Sequence, residues 1–484
     1  MKVQENINRN VLNDALNVLK SYRFRNLIDS KEDILNSGIY SEEEYYDFIF
    51  TLYDEDKLKY SLFNFLKNKE IASIKDLKEF SKEFNHDLKK ILSLSYLLKY
   101  ENLIEIKKNE NTSELEFNIK NKDFIKVKPI YEPVKVIFDS KICSGCGICQ
   151  GICPVDCIKI DNGVGIIDDE KCISCGLCYT VCPRSYLPID ILNIYISNSN
   201  KFKNQSDIGE YLKAYSAKTK VDEISKICQD GGIASSILYY LFDTQQIDGA
   251  IGAGMSETIW KPTPLLIKNK DDIKKTSGTK YANNPNLQLL NQHIDCENLA
   301  VVGTPCMMQA LLKSHIYNFK TPNIEKVKFR IGIFCMESFP YESILEIAKR
   351  LSVEINDIKK MDINKGKFFI YPKNGEPKNI PIKEITSLAR EDCEYCYDLT
   401  SESADISIGS IGSPAGWSTV LVRTKVGKEI FKGLVDKNYI EWKDLQDVQP
   451  GLNLLLKIAK MKRKNCTEHI NKVKMEKEYI PQYY

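Results

Sequence analysis

Two runs of cysteine residues determine much of the chemistry that this sequence can support. Each run has the spacing C-x2-C-x2-C-x3-C and is followed directly by proline. The runs are Cys143, Cys146, Cys149 and Cys153, and then Cys172, Cys175, Cys178 and Cys182. In such a run, three closely spaced thiolates bind one [4Fe–4S] cluster, and the fourth thiolate, next to proline, reaches a neighbouring cluster.

This exchange of the fourth cysteine predicts two mixed sets of ligands. The first thiol set is Cys143, Cys146, Cys149 and Cys182. The second thiol set is Cys172, Cys175, Cys178 and Cys153. Zinc sites seldom use this triple spacing, and a disulfide framework suits small secreted domains. The pattern is therefore typical of a bacterial-type two-[4Fe–4S] ferredoxin module, which carries single electrons.

Four of the remaining cysteines could form a third thiol set. Cys306 and Cys335 each close a predicted strand, and Cys393 and Cys396 form a CxxC pair in an acidic loop. Because ligands collect at the carboxyl ends of strands in α/β sheets, the loop could meet the other two thiols there and complete a cubane site. The alternative is two buried thiols and a CxxC pair that binds zinc or no metal. Cys228 could also replace one of the four. The cysteines otherwise expected to be free thiols are Cys157, Cys228, Cys296 and Cys466.

The composition indicates a protein of several domains. A length of 484 residues corresponds to about three or four domains. The N-terminus lacks the apolar core of a signal peptide, and no apolar stretch is long enough for a membrane helix. Sixteen cysteines without a signal peptide predict metal ligands and a cytoplasmic location. The net charge of +2 favours neither nucleic acid nor a membrane surface as a partner.

The elements that must position these cysteines fall into three predicted domains. Residues 1–126 are predicted to be helical and similar to a winged helix. Apolar residues recur at helical spacing in VLNDALNVLKSY and SEEEYYDFIFTLY, and three more amphipathic helices follow. Ser73 is the expected N-cap of the second of these three. The alternating segments IEIKK and ELEFNIK, on either side of a turn at 109–113, predict a β-hairpin.

Because winged helices often bind DNA, the charge of this first domain is informative. Residues 1–125 contain 20 Lys and Arg against 23 Asp and Glu. A phosphate-binding surface needs a basic stripe, whereas the third helix has only Lys89 and Lys90 beside an apolar remainder. DNA binding is therefore not expected, and docking of a partner protein or packing on the rest of the chain is preferred.

The ferredoxin module is predicted to occupy residues 127–200. We expect VKVIF (134–138) to form a strand that pairs with a second strand near IKI (158–160). The segment 189–209 becomes polar at its end and is expected to link the module to the next domain. The class expected for the whole chain is multidomain α+β.

Residues 201–484 are predicted to form an α/β domain. Strands alternate with helices, the first long helix follows the pair Gly231–Gly232, and Asn374–Gly375 marks a hairpin turn. A basic helix is expected near the C-terminus. The chain has only four histidines, so acid–base chemistry built on histidine is not expected.

Six ordered motifs in this last domain form a further pattern. They are CQDGGIASSIL (228–238), TSGTKY (276–281), VVGTPCMMQAL (301–311), GIFCMESF (332–339), CEYCYDLTSESADISIGSIG (393–412) and GWSTVLVRT (416–424). With these motifs, the domain resembles the coenzyme F420 hydrogenase/dehydrogenase beta-subunit family. An upstream two-cluster ferredoxin module is also common in that family, as in electron-input subunits of F420-oxidising dehydrogenases and in F420-dependent sulfite reductase. Residues 1–125 have no counterpart in that pattern.

The resemblance implies FAD and a nearby cluster, and hence three [4Fe–4S] clusters in all. It implies that the third cluster is held by Cys306, Cys335, Cys393 and Cys396. It implies that the flavin site is lined by Gly231, Gly232, Ser277, Gly278, Thr279, Lys280, Tyr281, Gly303, Thr304 and Pro305. A glycine pair at a helix start also offers N–H groups to a phosphate, whereas DGAIGAG is not a dinucleotide fingerprint. Lys280 and Arg423 could meet the flavin pyrophosphate or the acidic tail of coenzyme F420.

The expected function is that of an iron–sulfur flavoprotein oxidoreductase. It would exchange hydride between its substrate, coenzyme F420, and FAD, and would pass single electrons through the clusters to or from a redox partner protein or other subunits. One alternative is a ferredoxin-fed flavin reductase of another small molecule, because a fold does not fix a substrate. A second alternative is a redox-sensing winged-helix regulator.

Overall fold

The structure is a computed structural model that describes residues 22–109, 114–122, 134–198, 206–317, 321–474 and 479–483. The predicted helix VLNDALNVLKSY lies outside the described residues except for Tyr22, which begins the first described helix. Within the described ranges, no helix combines the length and the apolar character that crossing a bilayer requires.

The N-terminal segment combines helices with a small sheet. Its elements are α1 (Tyr22–Asp29), α2 (Lys31–Asn36), α3 (Glu42–Lys69), β1 (Ile71–Ser73), α4 (Ile74–Glu83), α5 (Leu88–Tyr100), β2 (Ile104–Lys108) and β3 (Leu115–Ile119). Ser41 and Ser73 begin α3 and α4 with capping boxes, as expected for Ser73. Strand β3 lies between β1 and β2 and is antiparallel to both, so the predicted β2–β3 hairpin is confirmed.

The cysteine-rich segment has short elements around its thiols. They are α6 (Lys135–Asp139), α7 (Ile148–Gly151), β4 (Ile158–Asp161), β5 (Val164–Ile167), α8 (Leu177–Val181) and α9 (Ile189–Ser197). The prediction of a strand at VKVIF is wrong, because this segment forms α6. Its buried residues Val134, Ile137 and Phe138 follow helical spacing rather than the alternation of a strand. Strand β4 pairs instead with β5 in a local hairpin, whose turn places Asn162 and Gly163 at positive φ.

The C-terminal domain contains the largest sheet. Its first elements are β6 (Lys213–Thr219), α10 (Asp222–Ser225), α11 (Ile233–Asp243), β7 (Gly249–Met255), β8 (Pro262–Ile267), β9 (Leu299–Gly303), α12 (Pro305–Ile316), α13 (Pro322–Lys326) and β10 (Val327–Ile333). Its remaining elements are α14 (Tyr341–Arg350), β11 (Ile358–Asn364), β12 (Lys367–Pro372), β13 (Lys378–Pro381), β14 (Ile406–Gly409), β15 (Ser418–Val422), α15 (Lys425–Asp436), β16 (Ile440–Asp444) and α16 (Gly451–Val473).

The eight strands of the main sheet have the order β16–β6–β15–β14–β10–β9–β7–β8. Strands β7, β9, β10 and β14 are parallel to one another, and the remaining pairs are antiparallel. Strand β9 (LAVVG) is almost entirely buried, as is typical of a parallel strand covered on both faces. A separate antiparallel sheet, β11–β12–β13, contains the predicted Asn374–Gly375 hairpin.

The carboxyl ends of the parallel strands lie at one edge of the main sheet, where chemistry is expected. Gly303, Ile333 and Gly409 are the last residues of the parallel strands β9, β10 and β14. Ser418 begins the antiparallel strand β15 and pairs with Ala217 near the end of β6, so both lie at the same edge. The carboxyl edge of an open α/β sheet is where ligands usually bind.

The expected linker at 189–209 begins with a packed helix. Ile191 and Ile194 of α9 are buried, and the helix lies against α5 and α12. Tyr96 of α5 donates a 3.0 Å hydrogen bond to Asp190, and the rings of Tyr100 and Tyr186 stack with centroids 4.3 Å apart. The first part of the segment therefore packs against helices from both the N-terminal and the C-terminal part of the chain.

Candidate iron–sulfur and flavin sites

The charge effects on two cysteines of the ferredoxin pattern are compatible with the two mixed groups that the spacing predicts. Burial raises the pKa of Cys149, and the negative charges of its three partners in the first thiol set raise it further. Burial likewise raises the pKa of Cys178, and the charges of its three partners in the second thiol set add to the increase. The sequence neighbours Cys149 and Cys153 thus belong to different groups.

The second thiol set lines a cleft. The cleft encloses about 360 Å³ of space free of protein atoms, part of which is open to solvent. All four cysteines of the set line it, together with Cys157 and apolar side chains that include Ile158 and Leu177. Four thiols facing one apolar space are the donor set that a [4Fe–4S] cluster takes.

The third thiol set is also brought together, at the carboxyl edge of the main sheet. Cys306 follows β9 at the start of α12. Cys335 follows β10, and its backbone N–H donates a hydrogen bond to Leu399 O over 2.9 Å. Burial raises the pKa of Cys335 to about 12, and the charges of Cys306 and Cys396 contribute to the increase. The charge of Cys335 in turn helps to raise the pKa of Cys393, which burial dominates. The other three thiols therefore lie within electrostatic range of Cys335.

A cluster spreads its four thiolates over separate irons, one at each corner. Among the residues that the structure describes, no three His, Cys, Asp or Glu side chains are close enough to share a single metal ion. The three thiol sets are thus arranged more openly than the ligands of a mononuclear site.

Sequence reasoning missed a lysine beside the third thiol set. Lys462 belongs to α16, is buried, and donates from Nζ to Cys335 O over 2.6 Å. The thiols of Cys396, Cys335 and Cys393 help to raise the pKa of Lys462 against the effect of its burial. The basic composition of the C-terminal helix was the only signal in the sequence, and it did not show which lysine points inward.

Two buried arginines join the third thiol set to the first. Arg390 donates to the backbone oxygens of Cys143 and Gly163 over 2.6 and 2.8 Å. It also forms an ion pair of 2.8 Å with Asp392, next to Cys393. On the other side, Arg184 donates to Asp392 O over 3.3 Å. The acidic CxxC loop is therefore anchored directly on the ferredoxin module.

The first thiol set is coupled electrostatically to both of the others. The charge of Cys306 in the third set helps to raise the pKa of Cys146 in the first set, after the larger effect of burial. The charge of Cys178 in the second set contributes in the same way at Cys149 in the first set. The first thiol set is therefore within electrostatic range of both the third and the second.

The glycine pair predicted for the flavin site is required by the backbone. A Cβ on Gly231 would lie 2.4 Å from Ala217 O and 2.5 Å from Ser418 N, and Gly232 has φ +71°. Gly232 is the N-cap of α11 and provides no side-chain cap. The first amides of this helix are therefore left to another acceptor, as a phosphate site needs.

The segment Ser277–Tyr281 lies between the glycine pair and the third thiol set. The charge of Asp230, next to Gly231, helps to raise the pKa of Tyr281, which burial dominates. Tyr281 O accepts from the amide of Phe339 over 3.0 Å, in the loop that follows Cys335. The segment is thus hydrogen-bonded to the loop after Cys335 and lies within range of the charge beside the glycine pair.

Lys280 stabilises this loop through hydrogen bonds to the loop backbone. Its Nζ donates to the backbone oxygens of Thr276, Ser277 and Gly278 over 2.6, 2.7 and 3.1 Å. These three contacts use all three donors of the ammonium group. In the structure, Lys280 therefore fixes the Ser277–Thr279 turn instead of extending toward a phosphate.

The segment Gly303–Pro305 connects the sheet edge to the third thiol set. A Cβ on Gly303 would lie 2.8 Å from the sulfur of Met307, so the position is closely packed. Thr304 is the N-cap of α12, and its hydroxyl lies 3.2 Å from the sulfur of Cys306. The expected flavin-lining residues and the expected cluster ligands are thus adjacent here.

The expectation that Arg423 could meet a phosphate is wrong. The side chain is 1% exposed, and it donates to Ser407, Ile208 and Glu210 and twice to Thr400. These bonds use all five N–H groups of the guanidinium. Arg423 therefore holds the domain together, because a buried arginine must satisfy its donors locally.

Cys228 has a different environment from the third thiol set. Its thiol donates to Asp230 O over 2.9 Å. Burial raises the pKa of Cys228, with Asp230 and Lys360 as the charged neighbours. The structure therefore places Cys228 beside the glycine pair.

The helix of the N-terminal segment that could read DNA is covered. Residues of α5 that face the ferredoxin module include Ser93, Tyr96 and Tyr100, which contact Tyr195, Asp190 and Tyr186. A recognition helix needs a free face for the major groove. In the structure, this helix packs on the rest of the chain, which is one of the two preferred interpretations.

The C-terminal tail, which carried no interpretable signal, crosses the junction between the domains. Gln482 pairs with Tyr186 and accepts from Leu187 N over 2.7 Å. Tyr483 donates its hydroxyl to Tyr395 O in the CxxC loop. The tail thus holds the ferredoxin module against the third thiol set.

Known protein families match the two regions that this geometry joins. Residues 214–291 and 296–448 match the models for the N-terminal part and the C terminus of the coenzyme F420 hydrogenase/dehydrogenase beta subunit. Residues 142–187 match a 4Fe-4S dicluster domain.

Individual relatives agree with these matches. The beta subunit of the coenzyme F420 hydrogenase of Methanosarcina barkeri is 39% identical over 260 residues, which are 53% of this chain and 89% of the relative. One subunit of the F420H2 dehydrogenase of Methanosarcina mazei is 33% identical over 347 residues, which are 70% of this chain and 94% of the relative. A chain of the F420-reducing [NiFe] hydrogenase complex of Methanosarcina barkeri aligns with a TM-score of 0.55 and 36% identity, covering 57% of this chain and 97% of that one. The protein therefore belongs to the coenzyme F420 hydrogenase/dehydrogenase beta-subunit family and carries a 4Fe–4S dicluster domain ahead of the family-specific region.

Proposed function

We propose that the protein is an F420-dependent oxidoreductase that exchanges hydride between coenzyme F420 and FAD, and single electrons with a partner protein through three [4Fe–4S] clusters. The observation that carries the proposal is the presence of three thiol sets, the third of which is joined to the first by Arg390 and Arg184. FAD supplies the conversion between paired and single electrons, and the clusters take one electron each. The protein's part is to hold these groups in sequence.

The thiol sets fit the clusters in chemistry and environment. Eight of the twelve thiols are buried and the other four are partly buried, and burial alone favours the neutral S–H form. A coordinating metal removes these protons outright. Lys462 and Arg184 lie beside the third thiol set, so the negative charge of a thiolate-bound cluster would meet nearby cations. We propose that each thiol set binds one cluster with the ligands given above.

The residues around Gly231 fit a dinucleotide phosphate. The glycine pair leaves no room for side chains, and the first turn of α11 has N–H groups without a side-chain cap. A phosphate accepts such N–H groups and gains from the positive end of the helix dipole. We propose that Gly231, Gly232, Ser277–Tyr281 and Gly303–Pro305 surround FAD, with Lys280 holding the loop in shape.

The N-terminal segment fits a structural role beside the second thiol set. We propose that residues 1–126 form a winged-helix-like domain, 127–200 the ferredoxin domain and 201–484 the flavin and cluster domain. Burial raises the pKa of Tyr40 in the first domain, and the charges of Cys175 and Cys153 raise it further. The first domain thus covers part of the second thiol set, and the remaining open side of the cleft faces the partner.

A direct assay tests the proposed function. Reduced coenzyme F420 is mixed without oxygen with the purified full chain and methyl viologen, and NADH replaces it in the control. The expected result is viologen colour and oxidised F420 with the first donor, and no colour with NADH. If reduced F420 gives no colour while dithionite reduces the bound cofactors, the substrate assignment is wrong, and a ferredoxin-fed reductase of another small molecule is favoured.

A further inference from the structure

A fifth cysteine faces the cleft of the second thiol set. Cys157 lines the same cleft as the four predicted ligands. Its sulfur lies 3.4 Å from the sulfur of Cys153, and its amide points to that same sulfur over 3.4 Å. Both cysteines are buried, at 4% and 5% exposure. The site thus presents five thiols to a cluster that needs four.

The backbone keeps Cys157 at this position. Its carbonyl oxygen accepts from the amide of Asp168 over 2.8 Å, and β4 begins at the next residue, Ile158. Cys172, the first cysteine of the second run, lines the same cleft. Cys157 therefore shares this cleft with the last cysteine of the first run and the first cysteine of the second run.

The first thiol set differs at the matching position. Cys157 follows Cys153 by four residues, and the residue four positions after Cys182 is Tyr186. The ring of Tyr186 is buried and stacks on Tyr100. The two halves of the module are thus built on the same spacing, but only the second thiol set has an additional thiol at this place.

We propose that Cys157 is a reserve ligand of the second cluster and can occupy the corner of Cys153 or Cys172. This inference rests on the proposed cluster ligation. In the exchange, an Fe–S bond to Cys157 forms and the bond to the leaving cysteine breaks. The proton of the entering thiol passes to the leaving thiolate, across the 3.4 Å contact in the case of Cys153. Iron and sulfur keep their oxidation states, so the step needs no oxidant or reductant.

Single and double serine variants of the full chain test the proposal. The chains are purified without oxygen, and iron and the low-temperature EPR signals after dithionite reduction are measured. C153S is expected to keep about twelve irons per chain, and C153S/C157S to lose about four. The matched control is C182S, in the first thiol set, which has Tyr186 where Cys157 would be and is expected to lose iron as a single variant.

The proposal is overturned if C153S loses as much iron as C153S/C157S. It is also overturned if C182S folds and C153S does not, because a site with a reserve ligand should tolerate the loss better. Should neither single variant fold, C172S and C172S/C157S provide the second comparison, with the same expected difference of about four irons. These readouts do not involve coenzyme F420, whereas a wild-type chain without iron would instead refute the proposed function.

Discussion

Arg390 donates a hydrogen bond from Nη2 to the backbone oxygen of Cys143 over 2.6 Å. The bond joins the domain of the third thiol set to the first residue of the first cysteine run. The same side chain pairs with Asp392, and both residues are buried. Buried groups of this kind are costly to leave unpaired, so the junction between the two domains depends on this arginine.

Replacing this arginine should weaken the junction. In Arg390→Met, Asp392 loses one of its cations and two carbonyl oxygens lose their donor. We expect a destabilisation of about 3 kcal/mol and slower viologen reduction by F420. Thermal unfolding of the anaerobic protein and the viologen assay measure the two effects.

The control for this prediction is Arg350→Met. Arg350 pairs with Glu346 on an exposed face of α14, and exposed pairs contribute about 0–1 kcal/mol. An equal fall in melting temperature for both variants would contradict the role assigned to Arg390.

The ligands of the third thiol set can be tested by iron content. Cys393→Ala with Cys396→Ala removes two of its four thiols, so iron should fall from about twelve to about eight per chain. The ferredoxin EPR signals should persist, and viologen reduction by F420 should be lost. Cys228→Ser is the matched control and should keep about twelve irons. Loss of iron in that control, with retention in the double variant, would move Cys228 into the ligand set.

Local patterns in the sequence predicted much of the fold. The hairpin turn at Asn374–Gly375, the capping box at Ser73 and the strands before Cys306 and Cys335 follow from neighbours in the chain, and the structure has them. The family resemblance is confirmed by the matches at 214–291 and 296–448. Such features depend on short-range hydrogen bonds and burial patterns, which a sequence displays directly.

What the sequence did not reveal depends on distant partners. VKVIF satisfies the alternation of a strand, but its tertiary neighbours select a helix. Arg423 was predicted as a possible phosphate contact, but its donors bind residues that are distant in the chain, such as Ile208 and Thr400. Lys462 and Tyr483 come from a tail with no recognisable motif. Burial of one particular side chain in a basic helix is decided by packing, which composition does not encode.

His315 should make stability depend on pH. Its Nε2 lies 3.2 Å from Ile324 O, and its Nδ1 lies 3.4 Å from Arg330 Nη1. The neutral ring can donate to the carbonyl and accept from the arginine, whereas a second proton would face a cation. Burial, followed by the charge of Arg330, lowers the pKa of His315 to about 4.

The sign of this effect follows from proton binding. An unfolded histidine has a pKa of about 6.5, so between about pH 4 and 6.5 the unfolded chain binds more protons than the folded one. Stability should therefore decrease as pH falls through that range, by at most about 3 kcal/mol. His315→Gln, which keeps a donor for Ile324, should show a smaller loss of melting temperature between pH 7.5 and 5. His293→Gln is the exposed control, and an equal slope in all three chains would contradict the prediction.

Lys462 should set the potential of the third cluster. Its buried ammonium group donates a hydrogen bond to Cys335 O. A positive charge favours the more negative, reduced state of a nearby cluster. Lys462→Met should therefore make the reduction potential more negative, on the order of 100 mV for an effective dielectric constant of about 20. Lys462→Arg keeps the charge and should shift the potential less, and Lys460→Met changes an exposed residue of the same helix. Potentiometric titration followed by EPR measures all three. An unchanged potential in Lys462→Met would mean that the ammonium group serves only to hold the Cys335 backbone, because the loss of a buried charge so close to a cluster must otherwise appear in its potential.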